Sequence, residues 1–205
     1  MISPVQIFSL TADDVTVNKK EAFRYMGVSK NAVNEDMEEL YSVCLEDFQG
    51  AVKYRACYRK TDVFLKGDGV IDLGFGEFKS YHLEKNLEGC KKAYVFAATT
   101  GIDVDRLILR LSKTSPSKAV VTDATGSAAI EDFCDILNSR LKEKTECKPR
   151  FSCGYGDFSI ENQKNILEFL NAYKLLGISL SESFLMTPKK SVTAIVGIKG
   201  GIKWI

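Results

Sequence analysis

The sequence predicts an α+β domain over residues 1–205, a mostly antiparallel twisted sheet with flanking helices. Three observations predict it. Several stretches repeat apolar residues at the helical period of 3.6. Others alternate at period two, and glycine-rich turns join neighbouring strand-like runs into hairpins. Strand-helix-strand alternation is confined to the middle of the chain, so a wholly parallel sheet is not expected.

Residues 1–12 read as an irregular or extended lead-in. Asn18, with Glu21 three residues on, can form a capping pair for a short helix through Met26 that ends at Gly27. A stronger helix opens at Asn34 and places Met37, Leu40, Tyr41, Cys44 and Phe48 on one face. Glu35, Asp36, Glu38, Glu39 and Asp47 give it a solvated opposite face. From Ala51 the period becomes two. Val52, Tyr54, Ala56 and Tyr58 alternate with Lys53, Arg55, Cys57 and Arg59, as a half-buried strand requires. Val63–Leu65 and Val70–Leu73 flank Lys66-Gly67-Asp68-Gly69 as a hairpin, and Gly74-Phe75-Gly76 bends the chain.

A short helix over Tyr81–Leu87 precedes a compact apolar strand, Ala93–Ala98. Val104, Leu107, Ile108 and Leu111 define the next helix. Pro116 marks a loop, Ala119–Thr122 a short strand, and Asp123–Ser127 a turn into a helix burying Phe133, Ile136, Leu137 and Leu141. Asp157 or Ser159 can cap a long helix over residues 160–176 carrying Ile166, Phe169, Leu170, Tyr173 and Leu176, stopped by Gly177. After a polar turn around Glu182 and Ser183, Pro188 breaks the chain. Val192, Ala194, Val196 and Ile198 then alternate as one arm of a terminal hairpin, which turns at Lys199-Gly200-Gly201 and returns through Ile202 and Trp204.

Composition excludes several functions. Lys+Arg 28 against Asp+Glu 27 leaves a formal charge of +1, and no basic stripe interleaved with aromatics points to nucleic acid. No apolar run approaches the ~20 residues that span a bilayer, and no signal-peptide pattern opens the chain, so a cytoplasmic location is expected. Cys44, Cys57, Cys90, Cys134, Cys147 and Cys153 are irregularly spaced with no CxxC, and His82 is the sole histidine. That pattern supports neither a disulfide framework nor a zinc site, so all six thiols are expected reduced and no metal is assigned. The glycines of residues 67–76 do not link a strand to a helix as a dinucleotide fingerprint requires. Asp123–Ser127, with one glycine and no lysine, is a much weaker phosphate cradle than a P-loop.

Site-like chemistry concentrates between Arg150 and Val192. The stretch begins Arg-Phe-Ser-Cys-Gly-Tyr-Gly-Asp and, after the helix, continues Ser-Glu-Ser-Phe-Leu-Met-Thr-Pro-Lys-Lys-Ser-Val. Gly154 and Gly156 admit conformations closed to other residues and let a ligand approach the main chain. Arg150 presents a planar fork suited to a carboxylate, and Tyr155 offers a stacking face and a hydroxyl. The same residues also read as an ordinary glycine turn before a capped helix. Glu131, on a polar stripe with Asp135, Asn138 and Lys142, also reads as solvent-facing.

The pair Arg-x-Ser-x-Gly-Tyr and Ser-Glu-Ser-x-x-Met-x-Pro-x-x-Ser-Val resembles the activation, S-adenosylmethionine (AdoMet)-binding domain of cobalamin-dependent methionine synthase. That family's pattern is close to Arg-x-Ala/Ser-Pro-Gly-Tyr, a helix, then Thr-Glu-Ser-x-x-Met-x-Pro-x-x-Ser-Val-Ser-Gly. The match is strong from Arg150 to Val192, weaker back to about Ala124, and general before that. Cys153 replaces the usual Pro, and Thr193-Ala194 replaces Ser-Gly. The connection Glu143–Pro149 is shorter than the family's and lacks its aligned acidic ligand residue. The family also continues beyond Ile205 and supplies a further aromatic.

The resemblance implies AdoMet as cofactor, with cobalamin carried by a partner protein. It implies that Arg150 holds the AdoMet carboxylate, that the backbone at Ser152 and Gly154 faces the adenosine, and that Glu131, within Ala-Ile-Glu-Asp-Phe, joins the same site. Tyr155 would sit between AdoMet and the corrin, where the methyl group moves. The implied role is accessory: a free-standing module that restores methylcobalamin on a methionine synthase lacking its own activation domain, with an electron donor such as a flavodoxin. Two rivals are a corrinoid-protein docking cap that no longer binds AdoMet and a self-contained AdoMet-dependent methyltransferase. The missing Rossmann fingerprint counts against the second.

Overall fold

The computed structural model describes residues 3–29 and 32–200. In chain order the first elements are β1 (Gln6–Leu10), α1 (Lys19–Tyr25), α2 (Glu35–Ala51), β2 (Tyr54–Asp62), β3 (Phe64–Gly67), β4 (Val70–Asp72), β5 (Glu77–Lys79) and α3 (Tyr81–Asn86). There follow β6 (Cys90–Thr99), α4 (Ile102–Thr114), α5 (Pro116–Lys144), α6 (Gln163–Leu170), α7 (Ala172–Leu176), β7 (Ser179–Leu180), β8 (Met186–Thr187) and β9 (Ser191–Lys199). The residues first read as an extended lead-in supply β1. The returning arm of the expected terminal hairpin, Ile202 to Trp204, lies outside the described residues.

The main sheet is antiparallel, in the order β1-β2-β6-β9. Its register sets Tyr58 opposite Phe96 and Phe96 opposite Ala194. On one face Tyr54, Ala56, Tyr94, Phe96, Ala194 and Val196 form a core with Phe48 of α2, Val104 of α4, and Phe133 and Leu137 of α5. On the other, Cys57, Val95, Ala97 and Ile195 share a core with Leu83, Ile166, Leu170, Leu176 and Phe78. The sheet is therefore covered twice, which corrects the half-buried reading of β2. The charged residues of β2 do not mark a wet face. Arg55 donates to the Leu175 carbonyl (2.7 Å) and Arg59 to the Phe169 carbonyl (3.0 Å), so long stems lie along protein while their heads satisfy the ends of α7 and α6.

Local capping signals hold. Asn18 accepts from the amides of Lys20 and Glu21 at the start of α1, and Asn34 from Met37 at the start of α2. The largest departure is α5, a single helix of 29 residues that absorbs the expected strand Ala119–Thr122 and the turn Asp123–Ser127. Pro116 opens this helix at its first turn, where a missing N–H costs nothing. Thr125 donates to the Val121 carbonyl and Ser127 to that of Asp123, so both hydroxyls find acceptors within the helix. Packing decides the rest: Ala119 joins Leu107 and Leu111 of α4, while Val121 and Ala128 join Phe23 of α1 and Tyr41 of α2. An Asp123–Ser127 segment in a helix interior offers no anion cradle.

The expected long helix over 160–176 is also interrupted. Ser159 caps a 3-10 turn at Ile160–Asn162, α6 follows, and Asn171 (φ +53°) breaks it before α7. Ile166 and Leu170 are buried as their spacing predicts, but Tyr173 turns outward and is 71% exposed. Gly177 ends α7 in the left-handed region (φ +72°).

All six cysteines are free. Burial pushes the thiols of Cys57 and Cys134 up to about 12. We expect sluggish reaction of the native protein with a thiol reagent at neutral pH, and six equivalents on denaturation without reductant. Native intramolecular disulfides in protein isolated from cells would contradict this. No helix among the described residues is long and apolar enough to cross a membrane.

Candidate functional site

After α5 the chain runs back along the outer edge of β9. The Lys148 amide donates to the Gly197 carbonyl (2.8 Å), and Phe151 and Ile195 exchange two backbone bonds of 2.8 Å. This edge pairing fixes Arg150 with its side chain against α5. Its Nη2 contacts Glu131 Oε2, and its Nη1 lies 3.1 Å from Asp135 Oδ1. The Arg150 side chain is only 18% exposed, against 39% for Glu131 and 71% for Asp135. Nη1 is buried and has no aligned hydrogen-bond acceptor among the described residues despite the nearness of Asp135. The guanidinium thus keeps donor capacity in reserve.

Past Arg150 the chain forms a tight turn. The Tyr155 amide donates to the Ser152 carbonyl (3.2 Å), the Gly154 amide to Phe158 (2.7 Å), and the Phe158 amide to Tyr155 (3.0 Å). Gly154 holds φ +89° with open space where a Cβ would stand, so the backbone is approachable there. Tyr155 is the exposed tip, 55% accessible, its ring at right angles to that of Phe151 (ring centroids 6.1 Å apart). Beside it His82, Lys85, Asn86 and Phe151 wall a cleft of about 420 Å³. On the α5 side a groove of about 770 Å³ is lined by Phe8, Leu10, Asp14, Asp132, Asp135 and Arg140. Burial raises the Asp132 carboxyl, against the lowering effect of the Asn18 amide it accepts from.

The structure thus brings Arg150 and Glu131 into contact and sets Ser152, Gly154 and Tyr155 on the adjoining turn. Sequence reasoning left Asp135 on a polar stripe. Its place four residues after Glu131 was the available signal, since such residues share a helix face. Asp157 was also read differently. It does not cap the helix after it; Ser159 does. Asp157 instead accepts from the Ser80 hydroxyl (2.5 Å), the Tyr81 amide (2.7 Å) and the His82 amide (3.2 Å) at the start of α3.

Those bonds, the Ser80 hydroxyl foremost, lower the Asp157 pKa to about 2. A carboxyl depressed in the folded state stabilises it above the unfolded value near 3.8, and that stability is lost as pH falls toward 2. We expect an acid-unfolding limb between those values that is shallower in Asp157→Asn, as followed by circular dichroism. Identical limbs would mean that these bonds do not form in solution.

Among the described residues no group of three or more His, Cys, Asp or Glu side chains is placed to hold a metal ion. No family model matches the sequence, and no curated protein matches it. The solved structures include one that does, described as the MetH reactivation domain bound to AdoHcy. It superposes with a TM-score of 0.74 at 15% sequence identity, covering 98% of this chain and 80% of that one. The chain therefore has the fold of the MetH reactivation domain.

Proposed function

We propose that the protein is an accessory component of cobalamin-dependent methionine synthase, binding AdoMet at the Arg150 turn and presenting it to cobalamin carried by a partner. The observation that carries this reading is the half-buried Arg150 guanidinium, with one terminal nitrogen on Glu131 and the other, buried beside Asp135, still lacking an aligned acceptor. A ligand carboxylate satisfies such a nitrogen better than water does. AdoMet also carries an ammonium and a sulfonium, and Glu131, Asp132 and Asp135 supply carboxylates close by. Ser152 and Gly154 contribute approachable backbone for the adenosine. Tyr155 stands outward, where it can meet both AdoMet and a second surface.

The bound groups would supply the chemistry: AdoMet a methyl group and a donor such as a flavodoxin one electron, which together would return cob(II)alamin to methylcobalamin and leave AdoHcy. The protein binds, orients and supplies charge. A second reading, a corrinoid docking cap without AdoMet, is favoured by the same ion pairs, since Glu131 and Asp135 already neutralise Arg150. Calorimetry separates the two. Saturable heat with AdoMet, followed by reductive remethylation of a cobalamin-loaded methionine synthase, supports the first. No heat and no thermal shift at millimolar AdoMet supports the cap.

A further inference from the structure

We propose that Asp157 is a positioning residue, latching the Arg150 turn to the start of α3 and so fixing where Tyr155 stands. Its carboxylate takes the Ser80 hydroxyl and the amides of Tyr81 and His82, and it lies 3.4 Å from the His82 imidazole. Ser80 is 1% exposed and also accepts from the Leu83 amide, so the latch reaches into the start of the helix. Gly156 (φ +56°) permits the approach: a Cβ there would stand 2.2 Å from His82 Nδ1. Phe158, on the other side of Asp157, is 1% exposed and packs against Phe78 and Phe151. Residues 156–158 are thereby held from several directions. Tyr155, by contrast, is 55% exposed, with its ring set at right angles to that of Phe151, so its orientation follows from the backbone that Asp157 anchors.

None of this appears in the motif that surrounds Arg150, and Asp157 touches neither Arg150 nor Glu131 in any bond described above. Its effect on a ligand is therefore indirect. The part of the inference that concerns AdoMet rests on the function proposed above; the latch itself does not.

The test pairs hydrogen exchange with AdoMet titration on the full chain and on Asp157→Ala, Asp157→Asn and Ser80→Ala. In Asp157→Ala, amides of residues 150–158 should exchange about tenfold faster while those of β6 and α5 keep parental rates. AdoMet affinity should fall about five- to tenfold, and Asp157→Asn, which retains one acceptor oxygen, should recover part of both losses. If Asp157→Ala unfolds outright, Ser80→Ala, which removes one of the three bonds to Asp157 along with the Leu83 cap, should show the same local pattern at smaller size. Unchanged exchange across 150–158 overturns the latch. Faster exchange with parental AdoMet affinity overturns the positioning role. A parent chain that binds no AdoMet sinks the proposed function instead, and the exchange data alone then decide the latch.

Discussion

Arg150→Ala is expected to weaken AdoMet binding by about ten- to a hundredfold. A charge-assisted, bidentate-capable contact to a carboxylate contributes ~1.5–3 kcal/mol, and the ratio of affinities follows from that. Arg150→Lys keeps the charge but loses the planar fork, so it should restore only part of the loss. The residue also has a structural share that its loop position concealed. Its guanidinium ties the edge of β9 to α5 through Glu131 and Asp135. Both carboxylates reach solvent, so leaving them unpaired should lower stability by only ~1–2 kcal/mol. Titrations therefore belong well below the unfolding transition. Tyr155→Phe provides the contrast: it should spare AdoMet affinity more than it spares remethylation of the partner's cob(II)alamin. Parental AdoMet affinity in Arg150→Ala would end the AdoMet reading at its centre and leave the docking cap.

Phe133→Ala should cost ~3–5 kcal/mol, the range for removing a buried aromatic from a site that cannot close. Phe133 is 0% exposed, stacks on Phe8 at 5.8 Å and 8°, and meets Tyr54 at 5.2 Å. These partners lie on two adjacent strands, β1 and β2, which the Phe133 ring joins to α5. At this chain length the loss corresponds to a fall in Tm of roughly 6–20 °C. Leu170→Ala, at an equally buried position on the opposite face, should cost ~2–5 kcal/mol. Thermal and urea unfolding measure both. A loss below ~1 kcal/mol for Phe133→Ala would mean that α5 does not pack on the sheet as described.

What could be read from the sequence was what acts locally. Asn18 and Asn34 announce helices because an N-cap is satisfied within three residues. Gly154 and Gly156 announce a turn, and both adopt positive φ. Where the outcome depends on distant partners, local reading fails. Val120, Val121, Thr122 and Gly126 have strand and turn preferences, yet Val121 and Ala128 pack against α1 and α2, and Ala119 against α4, which makes helix the better solution. The break at Asn171 was hidden because the apolar spacing on both sides of it remains nearly helical. Arg150 and Glu131 were joined only through a family resemblance, since nothing in either local sequence points to the other. Asp157 had no such help, and its partners lie 76 residues away on α3.

The edge pairing between Phe151 and Ile195 also sets a schedule. As the chain leaves the ribosome, Arg150 emerges long before the strand that seats it. Its rail exists only after β9 has docked on β6, across everything encoded between them. A nascent or clipped chain can therefore contain all of α5 and the whole Arg150 turn and still lack the strand edge that fixes them together. The setting of Arg150 is completed only when β9 pairs, so a chain cut short of Ser191 keeps the residue and loses its seat.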